Sequence, residues 1–148
     1  MITYDDLHTQ NHKITELTNV LTALMSERTL LDTDVTCELF FRYVDEVKNH
    51  LDVTDRRLYT KLLKYNDNDV NNVANQFMSG SQEIKRVFDK YLKSWCKLSN
   101  RHLVVKNYDQ FIKETDDMFM LVLNRIQDET EKLYPVARRI SGDEIKAA

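Results

Sequence analysis

The sequence predicts an all-α fold, specifically an antiparallel up-down-up-down four-helix bundle, on three observations. The chain of 148 residues holds two glycines and one proline. Short strands need turn residues at frequent intervals, so long uninterrupted helices are the natural alternative. Three polar stretches, "SERTLLDTD" (26–34), "KYNDND" (64–69) and "LSNRHLVVKN" (98–107), carry the Asn, Asp and Ser that cap helices and form turns. Between these stretches apolar residues recur with helical spacing.

The first helix covers about 4–27, with Leu7, Ile14, Leu17, Leu21 and Leu24 on one face. The second covers about 34–64 and turns Phe40, Val44, Val47, Leu51 and Leu58 inward. The third covers about 68–97, with Val73, Phe77, Ile84, Phe88, Leu92 and Trp95 as its stripe. Within it Gly80 costs about 1 kcal/mol relative to alanine and marks a kink or a close contact. The fourth covers about 107–134, with Phe111, Met118, Val122, Ile126 and Leu133 inward, and stops before Pro135. Four helices with short connections pack as an up-down bundle over residues 1–138, followed by a tail, 139–148, that is either a short docked helix or frayed.

Composition narrows the function. Hydrophobic residues make up 42% and charged residues 30%, as in ordinary globular proteins, and the net charge is −3 with both signs interspersed. A nucleic-acid footprint and a membrane-surface helix are therefore not expected. The opening "MITYDDLHTQNH" has neither a basic nor an apolar leader region, and no run is long enough to span a bilayer, so a cytoplasmic location is expected. Cys37 and Cys96 lie far apart without metal-ligand spacing and read as buried reduced thiols. No nucleophile–base–orienter set and no glycine-rich phosphate loop is visible, so no enzyme activity is expected.

One internal echo draws the eye inward. "HLDVTDRRLY" (His50–Tyr59) and "RIQDETEKLY" (Arg125–Tyr134) share a pattern 75 residues apart. In the second helix Val47, His50 and Thr54 follow i, i+3, i+7 spacing and share a face. The echo puts Val122, Arg125 and Glu129 on the matching stripe of the fourth helix. A looser match of "NHKITEL" with "GSQEIKR" offers His12 and Ser81 as inward polar positions. Tyr59 and Tyr134 read as aromatics capping the end of the bundle, His8 as an exposed residue near the helix start, and His102 as a loop residue.

The stretches "QNHKITELTNVL", "FRYVDEVKNHLDVTDRRLYTKLL", "FDKYLKSW" and "LVLNRIQDETEKLYP", in this order and spacing, make residues 5–136 resemble the bacterial hemerythrin-like (HHE cation-binding) family. That resemblance implies a non-haem di-iron centre inside the bundle, with a histidine from each helix and carboxylates one turn beyond two of them. On it His12 and His50 match ligand histidines and Glu129 matches a carboxylate. Thr54 stands where a bridging glutamate is expected, Ser81 near the third histidine, and Arg125 in place of the fourth. Half of the ligand set is thus replaced by groups that coordinate iron poorly or, for arginine, not at all.

The expectation is an Arg125–Glu129 ion pair at i, i+4, hydrogen-bonded to His12 or His50, in place of the metal. Thr54 and Ser81 belong to the same polar core. Such a protein needs no cofactor and acts as a regulatory or interaction module through contact with another protein or itself, with "HLVV" (102–105) and the helix ends as candidate contacts. The alternative is a reduced site, His12, His50 and Glu129, holding non-haem iron in a sensor or carrier of oxygen or nitric oxide.

Overall fold

The computed structural model describes residues 2–141 and 144–145, and the chain is all-α but for two minimal ladders. Each long helix opens on a side-chain cap, and for all but the first the cap comes from one of the polar stretches. Helix α1 (Tyr4–Met25) begins at Thr3, whose Oγ1 accepts from the Asp6 N–H at 3.1 Å while Asp6 accepts from the Thr3 N–H at 2.9 Å, a reciprocal capping box. After the short α2 (Arg28–Leu31), helix α3 (Asp34–Val53) is capped by Thr33. It runs through a π-helical turn, Thr54–Tyr59, into α4 (Thr60–Leu63). Asp67 accepts from the Asp69 and Val70 N–H groups at the start of α5 (Asn68–Trp95). Asn107 does the same for the Gln110 N–H at the start of α6 (Tyr108–Asp128). Asp67→Ala leaves two amides of the longest helix without a partner and is expected to cost about 1 kcal/mol in chemical denaturation. A midpoint unchanged from wild type would show that water replaces the cap fully.

The two ladders are short. β2 (Cys96–Lys97) pairs antiparallel with β3 (His102–Leu103), so the third helix ends two residues before the expected 97. β1 (Ile2–Thr3) pairs antiparallel with β4 (Glu144–Ile145).

The fourth helix does not stop before Pro135. A π-helical turn, Glu129–Leu133, leads into α7 (Tyr134–Ser141), and Pro135 lies in its first turn. Proline is tolerated there because its missing N–H and fixed φ match the needs of a first helical turn. The wider turn before it bonds the Tyr134 N–H to Glu129 O, five residues back, and so loosens the backbone that the ring would otherwise strike. The helix thus continues across the expected boundary at 138/139. Residues 142–143 and 146–148 of the expected tail lie outside the described residues.

Helix α1 packs on α3 and on α6, α5 packs on α6 and α3, and α5 also contacts the first π turn. No described helix is long and apolar enough to cross a membrane.

The inward residues advance in alternating steps of four and three. On α1 they are Tyr4, Leu7, Asn11, Ile14, Thr18, Leu21 and Met25. Leu17 and Leu24, expected inside, lie on the flank of this stripe. On α5 the inward residues include Val70, Ala74, Phe77, Ser81, Ile84, Phe88, Tyr91 and Trp95, with Val73 at the flank.

The apolar core falls into two clusters. One gathers Ile14, Leu51, Ile84, Val122 and Ile126 with the aromatics Phe40, Tyr43, Phe88, Tyr91, Trp95, Phe111 and Phe119. The other gathers Tyr4, Leu7, Leu58, Tyr59, Val70, Phe77, Leu133 and Tyr134. Along every long helix the residues between the two clusters are polar and buried: Asn11, His50 with Thr54, Ser81, and Arg125 with Glu129. A polar layer crosses the core.

Candidate functional site

The layer is built from one residue stripe per helix. Glu129 opens the second π turn and is fully buried, while Thr54 opens the first. The two positions are 75 residues apart (129 − 54), so the sequence echo coincides with a repeated backbone irregularity. A π turn adds one residue to a helical turn and swings the side chains that follow. Here it carries Tyr59 and Leu133 into the core beside the layer.

Glu129 divides its carboxylate between two partners. Oε1 lies 2.7 Å from His50 Nε2, and Oε2 accepts from Arg125 Nε at 3.3 Å. His50 Nδ1 lies 2.9 Å from Gln10 Oε1, so the imidazole bridges α1 and the second π turn. Arg125 extends its other end to the Tyr59 hydroxyl through Nη2, and its guanidinium lies 4.7 Å from the Phe77 ring centroid and 5.8 Å from that of Tyr59. Asn11 Nδ2 donates to the Tyr134 hydroxyl at 3.2 Å. Ion pairs out of water persist where geometry and supplementary hydrogen bonds offset the loss of hydration, and here both charges have them. The chain from Gln10 to Tyr59 involves α1, α3, α6 and both π turns.

Desolvation raises both phenols well above the ordinary tyrosine range. For Tyr59 the guanidinium of Arg125 works against this rise, and for Tyr134 the Glu129 carboxylate adds to it. Neither tyrosine caps an end. Tyr59 and Tyr134 are inside, bonded to the layer.

Of the six residues expected to meet, three do, two are buried without joining them, and one lies outside. Arg125, Glu129 and His50 form one hydrogen-bonded unit. Thr54 is fully buried, but its hydroxyl turns back to the carbonyls of His50 and Leu51 at 3.1 and 3.0 Å. Ser81 is fully buried, and its Oγ has no hydrogen-bond partner among the described residues. His12 lies outside: its side chain is 73% exposed and its Nε2 pairs with Glu16 at 2.9 Å on the helix surface. The reason is register. The stripe of α1 passes through Asn11, and one residue further along a helix is a rotation of about 100°. The signal that finds Asn11 is the unbroken four–three spacing from Tyr4 to Met25. Gln10, the residue that meets His50, has no comparable signal. His8 packs its ring edge-on to Tyr134 at 5.2 Å rather than lying free.

A metal does not fit these residues. With His12 turned outward, the set His12, His50 and Glu129 does not converge. Among the described residues no group of three or more His, Cys, Asp or Glu side chains is arranged to hold a metal ion. Glu129 already spends both oxygens on cationic or ring nitrogen partners, and a fixed guanidinium lies against it. The arrangement can hold charge and orient helices.

Gly80 makes a close contact. A Cβ at this position would lie 2.8 Å from Arg125 Nη1. Alanine there gains helix propensity, about 1 kcal/mol, but must displace a buried guanidinium held by Glu129 and Tyr59. Gly80→Ala is therefore expected to destabilise the wild type and to stabilise an Arg125→Met background by up to about 1 kcal/mol. The same sign in both backgrounds, measured by denaturant titration, would mean that Arg125 is not what keeps residue 80 small.

"HLVV" is not an exposed apolar strip. Leu103 and Val105 pack against the larger cluster, and the Val104 N–H donates to Trp95 O at 2.7 Å. Cys37 and Cys96 are free thiols, both half-buried rather than enclosed. No protein-family model, curated protein or solved structure matches the chain.

Proposed function

We propose that this chain is a four-helix bundle of the hemerythrin-like kind in which an ion-paired layer stands where the family holds iron, and that it acts without catalysis, through its surface, as a regulatory or protein-interaction module. One observation carries the reading: the guanidinium of Arg125 lies inside, shared among Glu129, Tyr59 and the Phe77 ring, on the stripe where the resemblance calls for a histidine ligand. The four–three spacing of the inward residues supports the bundle arrangement, since this is the periodicity of helices packed at shallow angles. The partner is another protein or a second copy of the chain.

The reading is tested by metal analysis of protein purified from iron-supplemented cells, with thermal melts in the presence and absence of ferrous ion. A ligand that binds only the folded state raises the melting temperature by mass action, so substoichiometric metal and coincident melts are expected. One or more ions per chain, lost in His50→Ala, would overturn it. Sedimentation of the metal-free protein then tests one contact: concentration-dependent association identifies a second copy, and a monomer throughout excludes it.

A further inference from the structure

The region around Cys37 lies towards the opposite end of α3 from His50 and has chemistry of its own. Cys37 ends the first turn of α3, its N–H bonded to Thr33 O at 3.2 Å. Its Sγ donates to Arg101 O at 3.2 Å and lies 3.8 Å from His102 Nδ1. Arg101 aims that carbonyl from a left-handed backbone conformation (φ 51°), with its guanidinium held by Asp45 at 3.0 Å and over the Phe41 ring at 4.9 Å. Two surface cavities meet at the thiol. One, of about 180 Å³, is bordered by Asp32, Thr33, Asp34, Cys37, His102 and Val105, and the other also includes Asp34, Cys37 and His102. A thiol, a ring nitrogen 3.8 Å from it and an open volume for a small molecule therefore coincide.

We propose that Cys37 is a site of reversible thiol modification by small neutral or cationic disulfides, with His102 as the proton acceptor. The thiol turns its proton from the Arg101 carbonyl to His102 Nδ1, in the tautomer that leaves this nitrogen unprotonated, as Cys37 Sγ attacks one sulfur of R–S–S–R. The S–S bond of the reagent breaks, a Cys37–S–S–R bond forms, and the departing sulfur leaves as R–SH with the proton. The reagent is the oxidant and no other reactant is needed.

Charge selects the reagent. Asp32 pairs with Arg28, Glu38 with Arg42 and Arg101 with Asp45, whereas Asp34 makes no ion pair among the described residues and borders both cavities. The uncompensated charge at the mouth is therefore negative and disfavours anionic disulfides. Cys96 does not compete. Burial, with a smaller contribution from Cys37, pushes its thiol up to about 12, which leaves it little thiolate near neutral pH.

The test is treatment of the intact folded protein with cystamine, followed by whole-protein mass and peptide mapping over time. One adduct, on Cys37, is expected, forming well before any on Cys96 and absent in Cys37→Ser. His102→Gln, a change at an exposed position, is expected to slow it about tenfold at neutral pH, short of what a fully preorganised base supplies. The gap between the two proteins closes as pH rises, because hydroxide then replaces the base. An anionic aromatic disulfide is expected to react more slowly than cystamine, and Asp34→Asn to narrow that difference. Equal modification of both cysteines, or an unchanged rate in His102→Gln, overturns the site. An anionic reagent as fast as cystamine overturns the ligand class.

Discussion

Glu129→Ala is expected to lower the unfolding free energy by about 3–5 kcal/mol, the cost of stranding a buried charge. The carboxylate is fully buried and is the anion that Arg125 and His50 share. Its removal leaves a guanidinium in the core with only the Tyr59 hydroxyl and two ring faces as partners. Domains of this size have about 5–15 kcal/mol in total, so the variant stands near the edge of folding. Arg125→Met/Glu129→Leu removes both charges and keeps apolar volume. Buried pairs replaced in this way are often neutral or stabilising, so the double variant is expected to recover most or all of the loss. Urea titrations of the wild type and the two variants decide. A loss below about 1 kcal/mol for Glu129→Ala means that Arg125 reaches water at little cost, and the ion-paired layer is then not a buried one.

Alkaline pH is expected to unfold the protein over a narrow interval. Desolvation by burial is the leading cause that raises the phenols of Tyr43, Tyr59, Tyr91 and Tyr134 far above the ordinary tyrosine range. In the unfolded chain the same groups ionise near 10. Above that pH the unfolded state binds fewer protons than the folded one, so stability falls as pH rises. It is fully present below pH 10. Each phenol removes about 1.4 kcal/mol per pH unit, and four together remove roughly 5 kcal/mol per unit. A stability of about 5–15 kcal/mol is then exhausted one to three units above 10. Helical circular dichroism and phenolate absorbance should change together, in one step. Phenols that ionise gradually near pH 10 with the helices intact would contradict the burial of this aromatic set.

Much of the fold was legible because it rests on local chemistry. Thr33, Asp67 and Asn107 cap helices from within the polar stretches where helix starts were expected, and glycine and proline are scarce elsewhere. The pairing of Arg125 with Glu129 follows from i, i+4 geometry alone. Three features were not legible in the same way. His12 rests on a loose match of "NHKITEL" with "GSQEIKR", which is one residue out of step with the stripe that turns Asn11 inward. Pro135 read as a stop because the π turn that accommodates it has no propensity signature. The meeting of Cys37 with His102 depends on the β2–β3 hairpin, a long-range pairing that no helical periodicity reports.

The polar layer between the two apolar clusters also acts as a ruler along the helix axes. An apolar core tolerates a slide of one helix against its neighbours, since leucine meets phenylalanine about as well one turn up as one turn down. A cation does not. Moved by one turn, about 5.4 Å, Arg125 and Glu129 would leave Tyr59 and His50 behind and lie among hydrocarbon, and His50 and Gln10 would be left facing each other alone. Every helix reads its height from the same mark, so the chain has one vertical alignment out of the several that its apolar stripes alone would permit.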